Sequence, residues 1–458
     1  MALEREVIGA ELARYDVAAA QIEVAGVVYH PVLTASETYL SAAGPVQVER
    51  HLYRPAGHNA KSICPLELRV GIVSGYWTPR AARLGAFAMA HLTPGEAEAL
   101  FDELGGMRPS RSTVDRLPRE LSAHWEQHRL EWETALRQQE TVPPEAVSVA
   151  LSVDGVMVAL KAKAEQRAAK RTEPGKHASG PAGQREVGCG TVSLYDAEGE
   201  RLQTLRYARM PESKKVTLQQ QIQAEMQAIC AVRPDLRRVH LADGAEGNWR
   251  LLAEAETALD VPPDAWVEIV DFYHACDHLK NGCDAIWGES TPRSQAEFLR
   301  LKTLLKEEDG GAERIIRSFK HHVSRAQGNR HRRIQAELTY FRNQRSRMNY
   351  AAYQRQHLPI ASGVVEAACK TLVTQRLKGS GMAWTLLGGQ AILSWRSLIH
   401  SQRWARAWAL LRADFRQTVR VLRAQPMTQP AQSDPGPQAK RRIPSERPSL
   451  YATLPLAV

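Results

Sequence analysis

The chain has 458 residues, 43% of them hydrophobic and 24% charged, which is the composition of an ordinary globular protein of two to four domains. Its formal net charge of +10 and pI of about 9.4 favour a polyanionic partner, most often nucleic acid; a merely basic protein is the alternative. No run approaches the roughly 20 apolar residues of a membrane span, and the first residues lack the pattern of a signal peptide. The six cysteines form no CxxC pair, so neither a zinc ribbon nor a disulfide framework is indicated, and we expect a cytoplasmic protein.

The N-terminal part of the chain divides into a β-rich segment and a helical region. Residues 1–62 are expected to form short strands and turns. Residues 63–142 contain the residue types that typically begin helices. Thr78, for example, precedes a proline at the expected first helical position. Thr93 is followed three residues later by Glu96, the spacing of a capping box. The sequence therefore predicts two consecutive helices in this region.

A third helix in this region is predicted from "SRSTVDRL", with Ser112 and Asp115 as the expected capping pair. Pro118 is expected to cut this helix short, before another helix over 124–139. A helix, a glycine-containing turn and a helix that carries Arg111 and Arg116 suggest a helix-turn-helix that binds DNA. An ordinary helical hairpin is the alternative.

Residues 143–290 alternate strands and helices in a definite order. After the linker "ETVPPE" we predict three strands, a helix, a strand, a helix, a strand and a helix. The first three strands are close enough for an antiparallel meander, and the later strands should lie parallel to the first. This order predicts an RNase-H-like α/β core with a mixed sheet. The charged stretch 161–186 within it is interpreted as a mobile basic loop.

The rest of the chain is expected to be helical. Residues 291–358 form a predicted α-helical insertion in the core; between Glu313 and Gln356 they contain eleven Lys or Arg and two Glu. Such an imbalance indicates a nearby polyanion. Residues 359–424 are expected to complete the core, and the Pro- and Ser-rich tail 425–458 to be disordered.

Two aspartates occupy unusual positions in the predicted sheet. Asp154 lies inside the first, strongly apolar strand, where an unpaired charge costs several kcal/mol. Asp243 ends the fourth strand, which is expected to lie beside the first, about 4.8 Å away. Two facing carboxylates repel each other unless a cation lies between them, and oxygen ligands suit Mg²⁺ or Mn²⁺. The alternative is that both aspartates serve turns or caps.

A third carboxylate, Glu366, falls in the first turn of a helix predicted after residue 363. A single glutamate there usually serves the helix dipole or a cap, and it becomes a metal ligand only together with the two aspartates. The stretches "LSVDGVMV", "LADGAEGNW", "VEIVDFYHACDHL", "FRNQRSRMNY" and "SGVVEAACKTLVTQRLKGSGMAW" together resemble the ISKra family of insertion-sequence transposases. The resemblance runs from about Cys64 to about Trp408, and its motifs are specific in combination.

The resemblance implies an Asp-Asp-Glu transposase that cuts and joins DNA strands by phosphoryl transfer with two Mg²⁺ (or Mn²⁺) ions. The family's acidic triad falls on Asp154, Asp243 and Glu366. "DFYH" is similar to the Asp-x-x-His signature of Mutator-type transposases, which places Asp271 and His274 near the site. Asp271 is thus a rival for the second ligand, and His274 is a proton carrier, a phosphate contact or a structural histidine.

Double-stranded DNA is the partner that the resemblance implies, bound by a dimer or larger assembly. The basic insertion is expected to clamp DNA, and Trp384 to stack on a base unless it belongs to the core. "GMAW" has Ala383 where the resemblance leads us to expect arginine. The expected DNA contacts beyond Arg111 and Arg116 are Arg332, Arg333, Arg345, Arg376, Lys378 and Trp384. An RNase-H-like nuclease or resolvase without joining activity, and a non-catalytic DNA-binding protein, are the alternative functions.

Overall fold

The computed structural model describes residues 2–56, 61–161, 183–256 and 266–423. Most of the predicted basic loop (161–186) and all of the predicted disordered tail (425–458) therefore lie outside the described residues. No helix within the described ranges is both long and apolar enough to cross a membrane.

The N-terminal part pairs a helix with a four-stranded sheet. Its elements are α1 (Ala2–Ala13), β1 (Gln21–Val24), β2 (Val27–Ser41) and β3 (Gly44–Pro55). The prediction of strands here is confirmed, but the sequence patterns do not predict α1, and β2 and β3 are long. The sheet has the order β3-β2-β1-β9, and β9 (Arg420–Arg423) comes from the far end of the described chain. Two distant parts of the sequence thus share one antiparallel sheet.

The predicted helical region contains α2 (Pro65–Val70), α3 (Pro79–His91), α4 (Pro94–Leu104) and α5 (Arg111–Gln138). The Thr93–Glu96 capping box is present, with both reciprocal hydrogen bonds. The expected cap of α5 is wrong: Ser110, not Ser112, accepts the N–H of Thr113. The expected break at Pro118 is also wrong, because α5 runs through it as one helix of 28 residues.

Packing explains why α5 continues through its proline. Pro118 is buried, and its carbonyl accepts a hydrogen bond from Trp395 Nε1 at 3.3 Å. The apolar face of α5 is buried on both sides of this position, at Leu117, Leu121 and Trp125. Tertiary contacts thus offset the backbone hydrogen bond that proline cannot donate. The two short helices predicted here are one long helix with one buried face.

The predicted α/β core is confirmed as a five-stranded mixed sheet. Its strands are β4 (Ser148–Leu160), β5 (Gly183–Tyr195), β6 (Arg201–Arg209), β7 (Arg237–Ala242) and β8 (Trp266–Val270). They lie in the order β6-β5-β4-β7-β8. β4, β5 and β6 pair antiparallel, whereas β4–β7 and β7–β8 pair parallel. Helices α6 (Val216–Val232), α7 (Glu246–Glu256) and α8 (Phe272–Trp287) follow the expected strands.

The predicted insertion is helical, with α9 (Pro292–Glu307), α10 (Gly311–Val323), α11 (Gly328–Gln344) and α12 (Tyr350–Arg355). It shares one apolar core with β7, β8 and α8. The chain then forms α13 (Gly363–Ala368), a π-helical segment (Cys369–Thr374) and α14 (Gln375–Leu377), which pack on β4 and β5. The last helices are α15 (Leu386–His400) and α16 (Trp404–Asp414), and they bury tryptophans against α3 and α5. Residues 386–414 therefore join the core to the helical region.

A buried ion-pair cluster joins α6, β6 and the turn before α16. The guanidinium of Arg403 lies 2.8 Å and 2.9 Å from the two carboxylate oxygens of Glu225, and both side chains are 2% exposed. Arg403 also donates to Glu140 and to the hydroxyl of Tyr207. Buried charges in such a cluster depend on each other.

We expect Arg403→Ala to lower the free energy of unfolding by about 3 kcal/mol, because it removes the closer of the two cations that pair with the buried Glu225 and leaves only Arg137, at 3.3 Å. Arg355→Ala is the control: Arg355 pairs with Asp309 at the surface, and removing it should cost less than about 1 kcal/mol. Urea denaturation followed by circular dichroism measures both. Equal effects of the two substitutions would contradict the structural role of the cluster.

Candidate active site

Asp154 lies within β4, and Asp243 is the first residue after the neighbouring parallel strand β7. Ser152 of β4 pairs with Leu241 of β7, and this is the last pair in their register. Each aspartate comes two residues after its member of that pair, so continuing the register places Asp154 opposite Asp243. The strand order predicted from the sequence thus brings together the two aspartates that it singled out.

The environment of Asp154 opposes its ionisation. Burial raises the pKa of the Asp154 carboxyl above its ordinary value, and the charge of Asp243 raises it further. Hydrogen bonds from the Gly155 N–H at 2.7 Å and from the Cys369 thiol at 3.5 Å act in the other direction, as does the charge of Lys215. A nearby cation would therefore stabilise this pair of carboxylates.

Asp243 shapes the turn that follows β7. Its Oδ1 accepts the N–H of Ala245 and the side-chain amide of Asn248, both at 3.0 Å. Gly244 has a φ of +96°, a conformation that residues with a side chain rarely adopt. Part of the turn interpretation is therefore correct. The same carboxylate serves the turn through Oδ1 and acts by its charge on Asp154, while its Oδ2 has no hydrogen-bond partner among the described residues.

The helical insertion reaches this turn through two residues that the sequence does not single out. Gln344 Nε2 donates to the carbonyl of Gly244 at 3.0 Å, and a Cβ on Gly244 would lie 3.2 Å from Tyr340. The hydroxyl of Tyr340 is buried and has no hydrogen-bond partner within the described chain. Burial, and then the charges of Asp243 and Asp271, raise the pKa of Tyr340. Sequence spacing gives no signal for this contact, since Tyr340 lies far along the chain from the turn.

Asp271 follows β8 directly and occupies the same sheet edge, but its carboxylate is engaged in the fold. It is 1% exposed and caps α8 by accepting the N–H of His274 at 2.6 Å. Its other oxygen accepts the N–H of Ser362. The contacts of Asp271 are those of a residue that joins α8 to the loop before Glu366. Asp271 thus lies beside the end of β7, where its N–H donates to the Ala242 carbonyl at 2.8 Å, but both of its carboxylate oxygens already accept backbone N–H groups.

Glu366 lies on a helix that packs beside Asp154. The neighbouring residues Val365, Ala368 and Cys369 of this helix are buried against β4 and β5, and the Cys369 thiol contacts Asp154. Glu366 itself is exposed, and its Oε1 accepts the Ser362 hydroxyl at 2.9 Å. Within the described ranges, no three Asp, Glu, His or Cys side chains are arranged to hold a metal ion. The two aspartates are thus adjacent, whereas Glu366 makes a local hydrogen bond.

The side chain of His274 lies in an aromatic cluster between α8 and the insertion. Its ring centroid is 5.2 Å from that of His278 and 6.4 Å from that of Tyr340. His278 is stacked on Tyr340 and contacts Glu337 at 2.6 Å. The ring of His274 has no hydrogen-bond partner among the described residues, so its catalytic role stays a prediction.

Three of the predicted DNA contacts meet at one cavity of about 410 Å³ between the helical region and the core. Its lining includes Arg111, Arg376 and Trp384. Arg376 is 3% exposed, donates through Nε to the carbonyl of Met89, and lies 5.1 Å from the Trp384 ring centroid. Arg376 covers the ring of Trp384, and Trp384 Nε1 donates to the Leu377 carbonyl. These contacts partly support the alternative that Trp384 belongs to the core.

The other predicted DNA contacts lie outside this cavity. Arg345 pairs with Glu313 at 3.8 Å. The remaining four are exposed and have no ion pair within the described residues: Arg116, Arg332, Arg333 and Lys378.

Comparison with known proteins gives no family assignment. No family model matches the chain, and no curated protein matches it. The solved Drosophila P element transposase strand transfer complex is similar at 11% identity and a TM-score of 0.25, over 74% of this chain and 81% of that chain. The Mos1 transposase paired-end complex with left transposon end has 15% identity and a TM-score of 0.16, over 57% and 76%. A pre-cleavage Mos1 transpososome has 13% identity, the same TM-score and the same coverage. These TM-scores are too low for a shared fold, so we infer function from this chain's own residues.

The raised pKa of Asp154 predicts a pH-dependent effect of Asp154→Asn on the metal-free protein. A group whose folded pKa is raised destabilises the fold when ionised, so the variant should melt at a higher temperature than the wild type at pH 7. The gain should shrink as the pH falls and disappear below the ordinary aspartate pKa of about 3.9, where the carboxyl is protonated in both the folded and the unfolded state. Thermal melts across this range measure it. Asp277→Asn, at an exposed aspartate, is the control, and an equal gain in both variants would show that burial of Asp154 is not the cause.

Proposed function

We propose that this protein is a DNA transposase of the Asp-Asp-Glu type with an RNase-H-like core. The observation that carries the proposal is the pair Asp154–Asp243. Asp154 lies within β4 and Asp243 directly follows the parallel neighbour β7, the charge of Asp243 acts on Asp154, and burial disfavours the charge on Asp154. The strand order β6-β5-β4-β7-β8 is the one that an RNase-H-like core requires. The resemblance of the sequence motifs to the ISKra family is the basis for proposing DNA cleavage and strand transfer as the reaction.

The chemistry of the donor set fits Mg²⁺ or Mn²⁺, because all the candidate ligands are carboxylate oxygens. Asp154 and Asp243 would hold two ions together with Glu366, whose carboxylate would exchange its bond to Ser362 for the metal. When bound, such a pair of ions lowers the pKa of an attacking water and stabilises the leaving oxygen of a phosphodiester. The buried hydroxyl of Tyr340 and the ring of His274 lie on the insertion side of the same region.

The reaction that we propose has two steps on DNA. Attack of water on a phosphodiester frees a 3′-hydroxyl at the transposon end, and this hydroxyl then attacks target DNA. No covalent intermediate with the protein is needed. The cavity at Arg111, Arg376 and Trp384 and the exposed Arg332 and Arg333 would contact double-stranded DNA. Bringing two ends together calls for a dimer or larger assembly on DNA.

Asp154→Asn should abolish cleavage and strand transfer and leave DNA binding nearly unchanged. We expect activity to fall about a thousandfold or more, since the metal site supplies several kcal/mol of transition-state stabilisation. A cleavage and strand-transfer assay with a labelled transposon end and Mg²⁺ measures both steps, and gel shift without Mg²⁺ measures binding. Asp277→Asn serves as the matched control. Equal activity of wild type and Asp154→Asn would refute the site, and cleavage without joining would indicate a nuclease.

Replacing Arg332 and Arg333 by glutamine should flatten the salt dependence of DNA binding. Removing one phosphate contact reduces the slope of log Kobs against log[salt] by about 0.9. The double variant should therefore lower the slope by about 1.8 if both side chains contact phosphates. Fluorescence anisotropy at several salt concentrations measures the slope. An unchanged slope would exclude these two arginines as phosphate contacts.

A further inference from the structure

A groove lined by arginines lies between the N-terminal sheet region and the last helix, and it shares no lining residue with the candidate active site. It has a volume of about 420 Å³. Its apolar lining includes Leu12 of α1, Val70 of α2 and Trp408 of α16. Five arginines from three separate parts of the chain line the same groove: Arg69, Arg80, Arg83, Arg412 and Arg416.

None of these five arginines forms an ion pair within the described residues. Glu11 is the one carboxylate that lines the groove in this part of the chain, and it already contacts Arg14 at 3.1 Å. Part of the helical insertion differs, since its Arg345, Arg347 and Arg355 each pair with a carboxylate, whereas Arg332 and Arg333 do not. The groove therefore concentrates positive charge that the fold does not neutralise.

The fold brings the three arginine-bearing segments together. Arg80 and Arg83 are one turn apart on α3, so they lie on neighbouring positions of one helix face. Arg416 Nε donates to the carbonyl of Arg69 at 3.0 Å, and the next residue, Gln417, bonds the carbonyl of Leu68 at 2.8 Å. The pairing of β9 with β1 continues this connection. The C-terminal segment thus fixes one wall of the groove against the other.

We propose that this arginine groove binds the phosphate backbone of DNA, as a contact separate from the carboxylate site. The inference deepens the proposed function and rests on it for the choice of polyanion. Guanidinium groups bind phosphate oxygens through paired hydrogen bonds and are weakly hydrated, which suits a partly apolar groove. The net charge of +10 of the whole chain also favours a polyanionic partner. The groove provides DNA with a second attachment formed by the N-terminal region, α3 and α16.

The test uses the full chain and a variant that removes charge without removing a bond of the fold. Arg80, Arg83 and Arg412 make no hydrogen bond or ion pair through their side chains among the described residues, so replacing all three by glutamine should leave the fold intact. The matched control replaces Arg108, Arg300 and Arg355, which are surface arginines paired with Asp102, Glu297 and Asp309. The charge removed is the same in both triple variants. Circular dichroism and thermal melting check that both are folded.

Binding of a short random-sequence duplex is followed by fluorescence anisotropy without divalent metal, between about 50 and 200 mM salt. We expect the groove variant to lower the slope of log Kobs against log[salt] by about 2.7, from three phosphate contacts at about 0.9 each, and the control variant to lower it by less than about 0.9. Lysine at the three positions should restore the slope. Equal slopes for the groove and control variants would overturn the proposal. A groove variant that no longer binds poly-glutamate but binds DNA unchanged would overturn it in favour of an acidic protein partner.

The binding test of the groove and the activity test of the proposed transposase function give independent answers. If the groove variant loses salt-dependent binding but the wild type never cuts DNA, the groove stands and the transposase proposal falls. If the wild type cuts and joins DNA while the groove variant binds like its control, the transposase proposal stands and the groove proposal falls.

Discussion

The parallel pairing of β7 with both β4 and β8 is the constraint on which the candidate site depends. Parallel strands end at the same edge of a sheet, so three aspartates that follow or lie within these strands come together without any loop having to place them. Because side chains alternate along a strand, a shift of one residue in the register of β4 and β7 would send Asp154 and Asp243 to opposite faces. The apolar residues around Asp154 disfavour its ionised form, and a bound cation would offset this free-energy cost for the pair of carboxylates.

The other parts of the molecule are arranged around that sheet edge. The insertion contacts the turn after Asp243 through Tyr340 and Gln344, and the helix of Glu366 packs on β4 and β5 through Cys369. Asp271 connects the two sides, since it caps α8 and holds the N–H of Ser362, whose hydroxyl bonds Glu366. A change in the Asp271–Ser362 contact would therefore act on Glu366. If the protein binds DNA as proposed, the cavity at Arg376 and the arginine groove would provide two contact regions in addition to the exposed arginines of the insertion.

Much of this arrangement could be predicted from the sequence, because strand and helix periodicities are local properties. The order of the core elements, the pairing of Asp154 with Asp243 and the helical nature of the insertion follow from them. Contacts between distant segments could not be predicted: β9 joins β1, Tyr340 reaches Gly244, and Trp395 accommodates Pro118 within α5. Local rules also fail where burial overrides them, as at Pro118. The arginine groove has no sequence signal because its five residues come from three segments that only the fold brings together.

The most direct measurement of the central claim is a crystal structure of the protein with Mn²⁺ and transposon-end DNA, with the ions located by anomalous scattering. We expect the ions to bind carboxylate oxygens of Asp154, Asp243 and Glu366, with Glu366 released from Ser362. Ions bound to Asp271 in place of Asp243 would correct one ligand and retain the chemistry. Ions that bind elsewhere, with Asp154 and Asp243 uncoordinated, would contradict the claim that this pair of aspartates is the catalytic centre.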